Sequence, residues 1–264
     1  MRRLVSWMMA LAILAALAAV AAAPALAGDA PKPAPQKLRV LLTVGGHGFE
    51  EVPFYAMFKA MPNVTYTKAD VPQQAGLLKP GLQKDYDVVV MYDMVGGFKP
   101  DEQKAFVELL SQGIGLVSLH HNMGAHQDWS EFHKIIGGHF CTKDTVIDGK
   151  PYKTASWDHD QDLNVTVVDP KHYITRGLKD FTIHDETYKG YWVSPNVQVL
   201  LKTDHPKNSP ELAWVGEFGK SRVFYLMLGH DNQAWKNPAF TELLTRGIRW
   251  AAAKDMPRKG GKKR

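Results

Sequence analysis

Between Gly113 and His126 the chain passes from a helix stop into a short apolar run, Ile114 to Ser118 with one glycine, and then into His120, His121 and a turn containing Gly124. A run that short, apolar on both faces and bounded by glycine, reads as a strand buried inside a parallel sheet. Open α/β sheets bind their ligands beyond the carboxyl ends of such strands. Two imidazoles delivered there stand where chemistry is usually done.

The flanking chain repeats the same pattern. Leu38 to Val44 reads as a first strand that ends in Gly45-Gly46-His47-Gly48, and Glu51 to Met61 as a helix. Val64 to Ala69 gives a second strand, and Asp87 to Asp93 a third that closes in Tyr92 and Asp93. Pro100 and the acids Asp101 and Glu102 open a helix that carries Phe106, Leu109 and Leu110 on one face and stops at Gly113. Trp129 to Ile136 is a further helix, whereas residues 139–162 show no clean period. Strands are expected at 163–168, 181–184, 197–203, 213–218 and 222–228, the last two joined by a tight turn at Gly219-Lys220-Ser221, and a closing helix at 240–253. Strands alternating with helices specify a doubly wound, mostly parallel sheet, with His47, Tyr92, Asp93 and His120 along one edge.

This pattern occupies residues 38–253 as one α/β domain. Residues 1–27 have a charged start (Arg2, Arg3), an apolar run from Leu4 to Ala23 and an Ala25-Leu26-Ala27 cleavage pattern, the layout of a secretory leader. Residues 28–37 read as a linker, and 254–264 as a disordered basic tail. A cleaved leader implies a secreted or periplasmic protein with no membrane span after processing. The whole chain carries +5; Arg2 and Arg3 supply two of those charges and the tail a net five, which leaves residues 28–253 at −2. Basicity is thus a property of the ends, and with no basic stripe interleaved with aromatics a nucleic-acid partner is not expected. A single cysteine, Cys141, excludes an intrachain disulfide.

Several segments together resemble the ThuA-like (trehalose-utilisation) family: 113–120, Ile136-Gly137-Gly138-His139-Phe140, 168–178, His184-Asp185-Glu186-Thr187-Tyr188, 219–225, Leu228-Gly229-His230-Asp231 and 246–251. The resemblance implies a three-layer, flavodoxin-like fold of the class I glutamine amidotransferase type, with added antiparallel strands, and a link to sugar catabolism. Where many relatives carry His-Pro after the Gly-Gly-x-Phe segment, this chain has Cys141-Thr142-Lys143-Asp144. In amidotransferases of this class the strand-to-helix elbow presents a nucleophilic cysteine; here it presents His120 and His121, and Cys141 falls about twenty residues later. Glutaminase activity is therefore not expected.

Candidate site residues are His47, His120, His121, His184, Glu186, His230 and Asp231. Two chemistries suit them. His120, His230, Glu186 and Asp231 can act as acids and bases on a sugar or keto-glycoside, as a hydrolase, lyase or isomerase would. Alternatively His120 and His230 help hold a zinc-like divalent metal. If His120 and His121 continue a strand, only one of them faces the ligand. His47, His121, Tyr188, Trp192 and Trp235 are expected to line a carbohydrate pocket, because aromatic rings stack on the apolar faces of sugars. Trp157 is a further stacking candidate, whereas Trp214 and Trp250 read as anchors. His126, His133, His159, His172 and His205 read as solvated or capping residues. The competing class is a non-catalytic sugar-binding or accessory module, and the sequence leaves room for a homo-oligomer.

Overall fold

The computed structural model describes residues 37–253; the leader expected at 1–27, nearly all of the linker and the basic tail lie outside the described residues. The first half is β1 (Leu38–Gly45), α1 (Glu51–Ala60), β2 (Val64–Asp70), β3 (Val88–Asp93), α2 (Pro100–Gln112), β4 (Gly115–Leu119) and α3 (Ser130–Ile136). Next come β5 (Gly138–His139), β6 (Thr145–Ile147), β7 (Lys150–Tyr152), β8 (Ser156–Val167), β9 (Phe181–Lys189) and β10 (Trp192–Val193). The chain closes with β11 (Gln198–Thr203), β12 (Glu211–Phe218), β13 (Ser221–Leu226), α4 (Asn232–Trp235) and α5 (Pro238–Ala251). Among the described residues no helix is long and apolar enough to cross a membrane.

Nine strands form one sheet in the order β2-β1-β3-β4-β13-β12-β11-β8-β9. The first five run parallel and the others join antiparallel. The expected parallel sheet with added antiparallel strands is present. Its parallel part has the flavodoxin-like order, in which the chain leaves β1 toward one side for β2 and returns on the other for β3. Such a reversal opens a crevice at the carboxyl ends of β1 and β3. All six residues of β3 and all five of β4 are buried, as expected for strands covered on both faces.

Two neighbouring residues of β13 show how the layers form. Phe224 packs under α5, where a Cβ on Gly247 would come within 2.2 Å of its ring; only glycine lets the helix sit that close. Tyr225 points the other way and stacks on Trp214 at 4.3 Å, and the Trp214 indole donates to the Ile136 carbonyl at the end of α3. Successive strand residues alternate faces, so α5 and α3 lie on opposite sides of the sheet.

The region 139–162 departs from expectation. It contains the β6–β7 hairpin and the first half of β8, a twelve-residue strand paired with β9 from Ser156↔Lys189 to Val165↔Phe181. Residues 156–162 are polar or exposed, with Trp157 55% accessible, so no inward-facing apolar alternation marks them as strand. Likewise β9 runs on to Lys189, which puts His184, Asp185 and Glu186 inside a strand rather than beyond its end.

Candidate active site

His120 is set by a turn rather than by the strand before it. Residues His120–Gly124 form a short 3-10 segment directly after β4, and His120 has a φ of 47°. That conformation is uncommon for a residue with a side chain and is typical of functional sites. Two bonds hold it: the Tyr225 hydroxyl donates to the His120 carbonyl at 2.9 Å, and Nδ1 of His120 lies 2.6 Å from the Met227 carbonyl. A carbonyl can only accept, so Nδ1 carries the proton and Nε2 is turned toward the site. The turn also removes the alternation expected of a continued strand. His120 stands beneath the site while His121 lines its wall, stacked on His47 at 4.4 Å.

Glu186 arrives from β9, at the far edge of the sheet, because the β8–β9 hairpin returns over the carboxyl ends of β4 and β13. Its neighbour Asp185 fastens this crossing. Asp185 accepts from the amides of Gly229 (2.7 Å), His230 (3.0 Å) and Glu186 (2.8 Å), tying β9 to the loop after β13. Gly229 has a φ of 113°, and a Cβ there would strike the Phe240 ring at 2.7 Å. Its carbonyl accepts from the Tyr92 hydroxyl and the Trp235 indole. The backbone that presents His230 is thus held from three directions.

Three atoms converge. Oε2 of Glu186 lies 3.0 Å from Nε2 of His120 and 3.3 Å from Nδ1 of His230, and the two nitrogens are 3.2 Å apart. The Tyr188 hydroxyl adds a contact of 2.9 Å to Nε2 of His120. On the other carboxylate oxygen, Oε1, sits Nδ1 of His159 at 3.1 Å. His159 reaches it through a bulge, since Asp158 pairs with Thr187 and Gln161 with Asp185, leaving His159 and Asp160 opposite Glu186 alone. A bulge re-aims a side chain that a regular strand would have pointed elsewhere.

Burial pushes the Glu186 carboxyl up, but hydrogen bonds from His120 and His230 outweigh it and hold the group well below the usual carboxylate range. For His230 burial works downward, and the bond to Glu186 overcomes it to raise the pKa. Burial lowers both His47 and His121, so both are neutral at pH 7. Neither ring nitrogen of His121 makes a hydrogen bond of good geometry among the described residues. Above this floor is a pocket of about 280 Å³ lined by His47, His121, Phe140, Trp157, His159, Glu186 and Tyr188 among others.

The expected residues therefore divide. His47, His120, His121, Glu186, Tyr188 and His230 come together. Asp231 does not join them as an acid; its carboxylate accepts from the Gln233 and Ala234 amides and caps α4. Trp235 is buried against Phe54, and Trp192 lines a separate recess with His133 and His139, so neither lines this pocket. His184 pairs with Asp160 and Asp162 on the outer side of the hairpin. His159, expected to be solvated, contacts the central carboxylate. Its signal was not periodicity but the alternation of polar residues in Trp157-Asp158-His159-Asp160-Gln161-Asp162, which a two-sided polar strand produces. His126 and His133 are also buried rather than solvated. Cys141 is buried beside the His139 carbonyl, not at the elbow, in keeping with the absence of a cysteine nucleophile from that turn.

Comparison with known proteins follows the same outline. The family model described as ThuA, trehalose utilisation, matches residues 39–251. A ThuA-like protein from Parabacteroides merdae superposes with a TM-score of 0.67 at 21% identity, over 84% of this chain and 94% of that one. A second ThuA-like protein, from Bacteroides uniformis, gives 0.61 at 20% identity, over 87% and 95%. A β-galactosidase from Bacillus circulans gives 0.51 at 12% identity, over 81% of this chain and 31% of its own. At these identities the structures share the fold. No curated protein sequence matches the chain.

Proposed function

The chain belongs to the ThuA family, whose description is trehalose utilisation, and from that premise we propose that it is a carbohydrate-processing enzyme acting on a sugar or keto-glycoside. One observation carries this: a buried, ionised carboxylate, Glu186, is held by His120 and His230 at the floor of a small pocket whose walls are aromatic. At about 280 Å³ the pocket is just below the ligand-site range of about 300–1,000 Å³, which suits one sugar ring rather than a longer saccharide. Phe140, Trp157 and Tyr188 offer faces for the apolar side of that ring. His47, His121 and His159 offer ring nitrogens to its hydroxyls or carbonyl.

The chemistry follows from what each group can hold. With Nδ1 bonded to the Met227 carbonyl, His120 presents Nε2 in a fixed orientation, so it does not have to reorganise during the reaction. His159, partly exposed at the mouth, is placed to pass a proton between substrate and solvent. The leader pattern at residues 1–27 supports action outside the cytoplasm, in the periplasm or medium.

The test is turnover of a panel of glycosides and their oxidised (keto) forms, with calorimetric binding in parallel. We expect turnover by the wild type, and in Glu186→Gln its loss with binding retained. Saccharide binding without turnover of any panel member would favour a binding module, and no saccharide binding at all would remove the carbohydrate reading.

A further inference from the structure

We propose that His120, Glu186 and His230 are the three protein ligands of a divalent metal ion, zinc-like in its preference, with an open coordination position facing the pocket. The inference deepens the reading of this pocket; it rests on the geometry of the three side chains, and on the carbohydrate reading only for what the ion would act on.

The three converging atoms are each potential electron-pair donors, one per residue. They form a nearly equilateral triangle with sides of 3.0, 3.2 and 3.3 Å. Around a tetrahedral ion with bonds of about 2.0–2.1 Å, neighbouring ligand atoms stand about 3.3–3.4 Å apart. The triangle therefore matches three corners of such a tetrahedron, and one of its three residues, Glu186, also lines the pocket.

A neutral His120 accounts poorly for the same contacts. Nδ1 of His120 has committed its proton to the Met227 carbonyl. What remains on that ring is a single position, Nε2, and it faces Glu186, His230 and the Tyr188 hydroxyl at once. With its proton on Nδ1 the ring leaves a bare lone pair 3.0 Å from a carboxylate oxygen, which is repelled unless a proton or a cation stands between them. A cation among the three atoms turns that conflict into ligation.

The surroundings supply what a metal site requires at one remove. The Nδ1–H···O=C bond from His120 to Met227 is the usual outer partner of a ligating imidazole. Oε1 of Glu186, the oxygen not used in the triangle, is held by His159. Asp185, with its three amide donors, fixes the backbone on which two of the three ligands ride. Two imidazoles and one carboxylate with a free position form the donor set of hydrolytic zinc sites, in which the ion polarises a substrate oxygen or activates a water.

The deciding experiment is metal binding by the purified protein, with no substrate needed. Protein prepared without chelators and then dialysed against Zn²⁺ is analysed for metal, and the affinity is measured by competition with a chromophoric chelator. We expect one ion per chain in the wild type. Affinity should fall more than about 100-fold in His120→Asn and Glu186→Gln, beyond what losing an outer partner costs. His133→Asn, in the separate histidine pair, should bind as the wild type does. Substitution with Co²⁺ should give the intense visible absorption of a four- or five-coordinate ion. A wild-type stoichiometry well below one after dialysis against Zn²⁺, Co²⁺ or Mn²⁺ overturns the proposal, and that result does not depend on any variant folding. So does unchanged affinity in folded Glu186→Gln. Metal-free protein that still turns over a saccharide defeats the metal and leaves the carbohydrate reading standing; a metal-loaded protein that binds no saccharide does the reverse.

Discussion

Two groups of imidazoles flank the turn at residues 120–126, and they have opposite fates. On one side His120, His159 and His230 surround Glu186 beneath an open pocket. On the other, His126 is enclosed by Phe98, Phe132 and Trp129, with ring centroids at 4.4, 4.4 and 5.3 Å, and His133 lies flat on His139 at 3.5 Å. The second group has no ion pair with a carboxylate among the described residues. Burial therefore pushes its members down, His126 to about 3, His133 to about 4 and His139 to about 3, so at neutral pH all three are uncharged. The same side chain becomes a polar centre or a packing ring according to whether the fold brings a carboxylate to it.

That contrast is broken most directly by removing the acid. Glu186→Gln keeps the shape of the first group and takes its charge away. Turnover should fall by about a thousandfold, the scale of a lost catalytic acid or base. His133→Asn, a comparable change in the second group, should alter turnover by less than about threefold. Equal losses in the two variants would mean that both groups serve the reaction.

The second group should instead contribute to acid stability, together with His121 and His47, which burial also lowers. A histidine whose folded pKa lies below its unfolded value of 6.5 stabilises the fold fully above that value. Its contribution drains away as pH falls toward the folded pKa, because the unfolded chain takes up a proton that the folded one refuses. For His126 the slope is about 1.4 kcal/mol per pH unit between about pH 6.5 and pH 4. Asp93 acts in the opposite sense. Burial raises it to about 7, so the folded chain keeps a proton that the unfolded one releases, and its effect offsets about one of the three imidazoles over this range. Denaturant unfolding at several pH values should therefore show His126→Phe gaining on the wild type by about 1.4 kcal/mol for each unit of acidification. A pH-independent difference would mean that His126 is not held neutral.

At the mouth of the first group, Trp157 is, among the described residues, the one large aromatic that is mainly exposed, so its loss should not disturb the fold. Trp157→Ala should weaken saccharide binding about tenfold, roughly 1.4 kcal/mol, with an unchanged unfolding midpoint. Affinity equal to the wild type would remove the ring from the proposed sugar platform.

The two groups also differ in how legible they were. The parallel half of the sheet announced itself through runs such as Val88-Val89-Val90-Met91, buried on both faces, and the strand ends at His47, His120 and His230 followed from it. Glu186 was singled out by motif, but its route was hidden, since it comes from the middle of an edge strand that folds back over the sheet. The polar run at residues 157–162 marked a wet strand, but not that His159 would reach Glu186, because a bulge sets the direction of its side chain. The burial of His126 was equally invisible, since what encloses it is Phe98, Trp129 and Phe132, brought from two other segments. Periodicity reports which face of one element is covered, and it says nothing about what another element places on top.

Asp231 marks the boundary of the first group and carries the smallest expected effect. It follows His230 directly, and by adjacency alone it would pass for that residue's catalytic partner. Its Oδ1, however, accepts from the amides of Gln233 and Ala234 at 2.8 and 3.2 Å, the geometry of a helix N-cap, and the carboxylate that holds the His230 backbone is Asp185. Asp231→Ala should therefore cost about 1 kcal/mol of stability, the usual effect of a lost cap, and lower turnover by no more than about threefold. Asp231→Asn, which can still cap, should recover most of that stability. A loss of turnover on the scale of Glu186→Gln, with the cap restored by asparagine, would move Asp231 into the reacting centre and redraw its edge.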